Sequence, residues 1–403
     1  MNKITMTLRY SLLQFLIWGI YGIVIGFSAS YFLDCGLSDA GYGLALGIAS
    51  ALAFLAQLAM GELISRLPKL TIHTAVRILT CAMALCGGAL LMIKLSAVRI
   101  LLFALILVLM QVIPGLLNAL GMAAARQALK VNFGIARGVG SMSYALFSFL
   151  TGQAIVLVGQ GAVPALTAAL SVLLFCGLWL FPDVGCGSKD TVEKDRMGRP
   201  LCRDLLFLAL LICTTLLFVS NNLMVNFLLQ LVRSRGGNEA GVGIAAAISA
   251  MAELPTMFLF GWMLRKLRCD SWLKISAICM TVKSVICLLA THLGVLYAVQ
   301  LMQAVGYGLL YVASVHYVDA VVSRENLVRA QAMLAATLTL ATLLSSFFGG
   351  LILEGFGIQA VLGGSAVCAA AAAVIFLLTL KKVDPGTTGQ IAVQPELRGD
   401  SHD

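Results

Sequence analysis

Charge is scarce in this chain. Asp, Glu, Lys and Arg together make up 11% of 403 residues, against 60% apolar residues and a mean hydropathy of +0.98. A soluble domain of this size has too little interior to hide that much apolar surface. Long polar segments are scarce as well. The longest runs from Pro182 to Arg203, which leaves no room for a sizeable soluble domain and argues against a receptor or scaffold. The 11 cysteines form no CxxC pair and no Cys/His cluster, so zinc sites and disulfide frameworks are not expected, and they read as small apolar residues. There is no P-loop, no Ser/His/Asp arrangement and no redox motif. The chain therefore reads as a non-enzyme without metal or cofactor, and any work it does must draw on an ion gradient or on a solute's own gradient.

What is present is apolar length. Stretches long enough to cross a bilayer, roughly 20 residues each, begin near Tyr10, Gly41, Ile72, Val98, Ala136, Ala162, Asp204, Ala240, Trp272, Gly294, Val328 and Gly357. That predicts an all-α membrane protein with twelve transmembrane helices, since a barrel would show short alternating segments. The first stretch is too long for a cleaved signal peptide and lacks a small-residue cleavage site. The +9 net charge sorts by side. With both termini cytoplasmic, most Lys and Arg fall in cytoplasmic segments. Only Lys94, Arg99, Arg233 and Arg235 fall outside, with Arg77, Arg137 and Lys283 within spans. The basic balance is thus topology and not an attraction to nucleic acid. The expected setting is a monomeric, multi-pass protein of a bacterial inner membrane, with the lipid bilayer and a small molecule as partners.

The polar interruption divides the spans six and six. It predicts an N-terminal six-helix bundle at 1–182, a cytoplasmic linker at 183–203, a C-terminal bundle at 204–383 and a disordered tail at 384–403. The halves carry a weak repeat: Gly61-Glu62-Leu63-Ile64-Ser65-Arg66 after the second span, and Gly261-Trp262-Met263-Leu264-Arg265-Lys266 after the eighth. Two parallel six-helix repeats are a common transporter plan. The 39 glycines include Gly19, Gly22 and Gly26 at helical spacing, as close packing through small residues requires. Pro114-Gly115 and Pro255 are expected to bend spans four and eight.

Charges held at bilayer depth are expensive, about 2.5–3.5 kcal/mol on insertion scales. Glu253, in the middle of span eight, is the acid kept there. It reads as a solute hydrogen-bond acceptor, a proton carrier or both, with a structural ion pair as the alternative. Loss of water favours the proton-bound carboxyl, which suits a carrier. Lys283 in span nine and Arg137 in span five are its candidate partners. Arg137, Ser141 and Tyr144 fall at i, i+4 and i+7 on one face, a guanidinium, a hydroxyl and an aromatic ring suited to a sugar-like solute. Asn221, Asn222 and Asn226 in span seven, Gln300 and Gln303 in span ten and Gln57 in span two add amides that serve equally for solute binding or for helix adhesion. Gln14, Trp18 and Tyr21 form a stripe on span one, read as packing. His316, beside Tyr317 and Asp319, reads as a satisfied structural histidine.

These residues resemble the major facilitator superfamily, and within it the lactose-permease-like oligosaccharide:proton symporters. Ser38-Asp39-Ala40-Gly41 and Gln57 to Arg66 are similar to that family's second helix and following gating loop, with Gly61 and Arg66 kept, Ser65 in place of an aspartate and Pro68 in place of a glycine. Phe133-Gly134-Ile135-Ala136-Arg137, Gly140-Ser141 and Tyr144-Ala145 resemble its sugar-site helix. The resemblance implies that Arg137 holds hydroxyls and Tyr144 stacks on a ring. Ala252-Glu253-Leu254 and Met280-Thr281-Val282-Lys283 resemble its helix-eight acid and helix-nine base. Other features depart. No acid lies between Asn118 and Lys130, and Gln300, Gln303 and Gly306 stand where the family has proton-coupling residues. The expectation is alternating access around a mid-membrane site. Arg137, Ser141 and Tyr144 would face Glu253, Asn222, Asn226, Gln303 and Lys283. The solute would be a sugar or nucleoside, symported with protons through Glu253 and Lys283. A drug exporter or an uncoupled facilitator is the alternative.

Overall fold

The computed structural model describes residues 3–67, 70–126, 133–182, 205–322 and 327–380. The expected linker and tail, with Pro68, lie outside these. Apart from short connections, the described residues are helical, as a chain with no water to satisfy its backbone requires. The N-terminal half holds α1 (Lys3–Asp34), α2 (Asp39–Arg66), α3 (Ile72–Met92), α4 (Ser96–Arg126), α5 (Phe133–Val158) and α6 (Ala162–Leu180). The C-terminal half holds α7 (Leu205–Asn226), the short α8 (Leu228–Arg233), α9 (Glu239–Met263), α10 (Cys269–Leu289), α11 (Leu293–Gln300), α12 (Leu309–Val321) and α13 (Leu327–Thr379). A tight 3-10 turn, Leu301–Gln303, and a π turn, Ala304–Gly308, join α11 to α12 in one crossing.

Eleven helices among the described residues are long and apolar enough to span. The last contains 47 such residues, about 70 Å of helix at 1.5 Å per residue, which is too long for one crossing of a core about 30 Å thick. Gly357 breaks it with φ 76° and ψ 177°, a conformation that glycine reaches without Cβ strain. Two crossings result, and twelve in all. The first helix starts at Lys3, earlier than hydropathy alone placed it, because its polar first turns continue the helix.

Successive crossings alternate, so both described chain ends lie at one end of the molecule, here called the near end. Connections at the far end are tight. Gly36, Gly159, Gly236 and Gly357 all adopt positive φ there. Ser38 caps α2 by accepting from Gly41 N, and Asn238 caps α9 by accepting from Gly241 N. Within the C-terminal half, the hydroxyls of Ser220, Ser284 and Ser365 stand 2.9–3.2 Å apart and tie α7, α10 and the second part of α13 together.

Two seams join the halves, α2 along the first part of α13 and α5 along α9. Both close at the far end through glycine. A Cβ at Gly43 would stand 2.5 Å from Ser346 O and 2.7 Å from Gly350 Cα, and one at Gly243 would stand 2.5 Å from Ser148 O. Polar bonds reinforce the closure. Glu354 accepts from the Ser38 hydroxyl at 2.7 Å and from Ala40 N at 2.8 Å, Gln230 donates to Asp39 at 2.7 Å, and Tyr42 donates to the Asn226 carbonyl at 2.8 Å. At the near end of the first seam nothing approaches Gly61 within 4 Å.

Candidate functional site

Between the two halves, at mid-depth, lie two adjoining spaces of about 240 and 340 Å³. Trp18, Tyr21, Arg137, Asn222, Glu253 and Tyr307 line both, so they form one chamber. The second space extends toward the near end past Gln57, Asn118, Met257 and Tyr311.

The N-terminal wall is built on α1 and α5. Spacing of four residues puts Arg137 and Ser141 on adjacent turns, and the guanidinium donates to the Ser141 hydroxyl at 2.8 Å. The same guanidinium lies over the Trp18 ring, 4.0 Å from its centre. Trp18 is itself held by its indole N–H, which donates to Gln14 Oε1 at 2.9 Å, while Gln14 Nε2 donates to Tyr10 and Asn118. Tyr21 packs between Trp18 and Tyr144, with ring centres 5.1 and 6.2 Å away. Glycine makes this arrangement possible: a Cβ at Gly140 would come within 2.6 Å of Trp18. Of the stripe read as packing, Gln14 is buried structure, but Trp18 and Tyr21 face the chamber.

The C-terminal wall is built on α7, α9 and the irregular stretch between α11 and α12. Asn222 lines the chamber and donates to Thr342 at 3.1 Å, and Asn226 lines it and donates to Ser346 at 3.1 Å and to Ser345 at 3.3 Å. Gln303 is 3% exposed; its amide donates to Asn221 at 3.1 Å and its carbonyl accepts from Lys283 Nζ. Glu253 is half-buried on the chamber wall, near Gln303 and within electrostatic range of Arg137 and Lys283. No ion pair within 4 Å joins it to either cation. It is therefore a carboxyl on the chamber wall and not one half of a closed salt bridge, and the structural-pair alternative does not describe this conformation.

One expectation needs correction. Lys283 does not line the chamber. It is 2% exposed and sits behind Gln303, so a solute meets the amide that Lys283 holds and not the ammonium itself. The expected gating-loop residues Gly61 and Arg66 lie at the end that is open in this state: no described residue would stand within 4 Å of a Cβ at Gly61, and exposed Arg66 pairs with Glu62 of its own helix at 2.5 Å. The closing contacts lie at the other end of the molecule.

Several wall residues escaped the sequence reading, namely Tyr307, Tyr311, Ser50, Gln111 and Thr342. The two tyrosines stack with ring centres 6.4 Å apart. They owe their direction to the π turn, which holds more residues per turn than an α-helix and shifts the helical phase of α12 beyond it. Side chains of α10 take up backbone carbonyls of this irregular stretch: Ser276 Oγ donates to Gly306 O at 2.7 Å. Gly308 lies beside Glu253, where a Cβ would make ordinary contact with Glu253 Cγ at 3.4 Å. The signal in the sequence was Gly-Tyr-Gly-Leu-Leu-Tyr at 306–311, two tyrosines four apart on span ten, two spans after the acid.

His316 packs half-buried against Phe260, ring centres 5.3 Å apart, away from the chamber. Among the described residues no group of His, Cys, Asp and Glu is placed to hold a metal ion.

Solved structures share this architecture. The nucleoside transporter NupG, as a point mutant, superposes with a TM-score of 0.79 at 14% identity, covering 93% of this chain and 100% of that one. A second NupG structure gives 0.77 at 14% identity, covering 94% and 98%. A bacterial homologue of the human lysosomal transporter Spinster, inward-facing and unoccupied, gives 0.62 at 14% identity, covering 94% of each chain. No curated protein matches. The model of the MFS_1 like family matches residues 7–362, nearly the whole chain. With twelve crossings in two halves around a closed-ended chamber, the chain belongs to this major facilitator family of multi-pass membrane transporters.

Proposed function

We propose that the protein moves a small polar organic solute that carries both a ring and hydroxyls, of the nucleoside or sugar kind, by symport with protons. The observation that carries the reading is the pairing of walls across one chamber. Arg137, bonded to Ser141 and seated over Trp18, faces Glu253 and the amides of Asn222, Asn226 and Gln303. Aromatic faces from both halves, Trp18, Tyr21, Tyr144 and Tyr307, suit a planar ring, and the amides and guanidinium suit its polar edge. The nucleoside transporter among the similar folds makes nucleosides the first class to try.

Glu253 is the proton carrier in this reading. It is the one acid on the chamber wall among the described residues, and it has no fixed cationic partner to keep it ionised. Lys283 acts on it from behind, through Gln303. With the near end cytoplasmic, as the basic segments require, the sealed far end is external and the chamber faces the cell interior. The test is uptake by proteoliposomes of a panel of radiolabelled nucleosides and sugars, with and without an imposed pH gradient. Concentrative uptake of at least one that collapses with the gradient is the expected result. No uptake of any member, under either condition, would refute the solute class. Uptake indifferent to the gradient would refute the coupling.

A further inference from the structure

The chamber has a side arm. Between α2, α7 and the first part of α13 runs an apolar groove of about 680 Å³, walled by Phe54, Leu55, Leu211, Leu216, Leu340 and Leu343. Leu55, Ile212 and Leu340 on its outer edge are exposed, so in a bilayer it opens onto hydrocarbon. On its inner edge it merges with the polar chamber. Ser50 lines the groove and both spaces of the chamber, and Phe54 and Thr339 line the groove and the nearer space.

The junction is chemically marked. Ser50 is 1% exposed, and its hydroxyl has no hydrogen-bond partner among the described residues. A buried hydroxyl left without a partner costs free energy, so such a group in a native protein calls for a missing one. Two other hydroxyls on the groove wall are already engaged, Thr215 with Leu211 O at 2.8 Å and Thr337 with Leu334 O at 2.6 Å, and the remaining one, Thr339, lies at the junction with the chamber. To a ligand the groove is therefore oily along its length and polar only where it meets the chamber. No charged residue lines it that could hold a lipid headgroup.

We propose that this groove receives the apolar arm of an amphipathic solute whose polar head occupies the chamber, with Ser50 donating a hydrogen bond to the atom that joins head to arm. The inference rests on the chamber being the solute site. It adds that the accepted class extends to alkyl or acyl derivatives of the polar solute, drawn in sideways from the membrane.

The experiment uses the full chain in lipid nanodiscs and two probe series, 5′-O-alkyl uridines and n-alkyl glucosides, each from methyl to hexyl. Binding is read as the ligand concentration needed for a fixed shift of the melting midpoint, which does not require transport. In the series that fits the chamber, affinity should rise about fourfold per methylene, the value for a buried CH2. The slope must fall in Ala336→Phe, and independently in Ala51→Phe, which place a ring in the groove but not in the chamber. Ser50→Ala should weaken every alkyl member by a similar factor without changing the slope. A slope that survives both ring variants would reflect partition into the bilayer alone and would overturn the proposal. So would a flat series whose methyl member binds, and that result would leave the chamber reading standing. Failure of both methyl members to bind would overturn the chamber reading and the arm together.

Discussion

Replacing Gly43 should change which end of the transporter is open. In this conformation a methyl group at residue 43 would lie 2.5 Å from Ser346 O and 2.7 Å from Gly350 Cα. Both are backbone atoms and cannot swing aside as a side chain would. To regain ordinary contact, α2 and α13 must separate by roughly an ångström, and overpacking of this kind costs about 1–3 kcal/mol. The penalty falls only on the state closed at the far end, because the seam is in contact only there. A perturbation felt by one state and not the other shifts the equilibrium by its full value. The expected shift toward the state open at the far end is therefore about 5- to 150-fold. A reporter is available in Ala250, which lines the chamber and is 8% exposed. Ala250→Cys in a cysteine-free background should be alkylated by a membrane-impermeant maleimide added on the far side at a rate that rises by that factor in Gly43→Ala, and further in Gly43→Val. Gly152→Ala should do the same at the other seam, where the new methyl would meet Glu239 O at 2.6 Å. Labelling as slow as in the parent protein, for both glycines, would show that these contacts do not hold the far end shut.

Three further outcomes are expected. Arg137→Ala removes a charge-assisted hydrogen bond and a ring contact, and should raise KM for the transported solute roughly ten- to hundredfold, measured as initial uptake; a normal KM would remove span five from the site. Glu253→Gln should keep exchange of solute down its own gradient and lose accumulation driven by a pH gradient, so that uptake curves at pH 6 and pH 8 superimpose. Gln303→Leu strips the buried Lys283 of its hydrogen-bond acceptor and should cost about 2 kcal/mol of stability, visible as a lowered melting midpoint in nanodiscs. Lys283→Met in the same background should restore much of that loss, since it removes the stranded charge.

The crossings were legible because one physical quantity, apolar length, decides them, and Gly357 sits where hydropathy placed the start of the last span. Arg137 and Glu253 were legible because charge at membrane depth is costly and so stands out. The aromatic wall was not. Trp18 and Tyr21 look like any helix stripe until α5 is known to lie against α1. Tyr307 and Tyr311 come after a change of helical phase that no periodicity argument anticipates. Lys283 was assigned to the chamber because depth along a helix can be read from sequence, whereas rotation about its axis cannot. The face carrying Lys283 turns inward to the packing of α10, and Gln303 intervenes. Closure at the glycine seams was hidden for a similar reason: Gly43 and Gly350 meet only when two distant segments are brought side by side.

The tight far-end connections carry a practical consequence. With left-handed glycines turning the chain at Gly36, Gly159, Gly236 and Gly357, that surface offers almost no slack polypeptide. Proteases need several residues of extended chain to grip, so one face of the transporter is nearly closed to them. An epitope tag or affinity handle meant for that face has to be built in, and the 159–161 turn, where the space around Gly159 and Gly161 is open, is the place to build it.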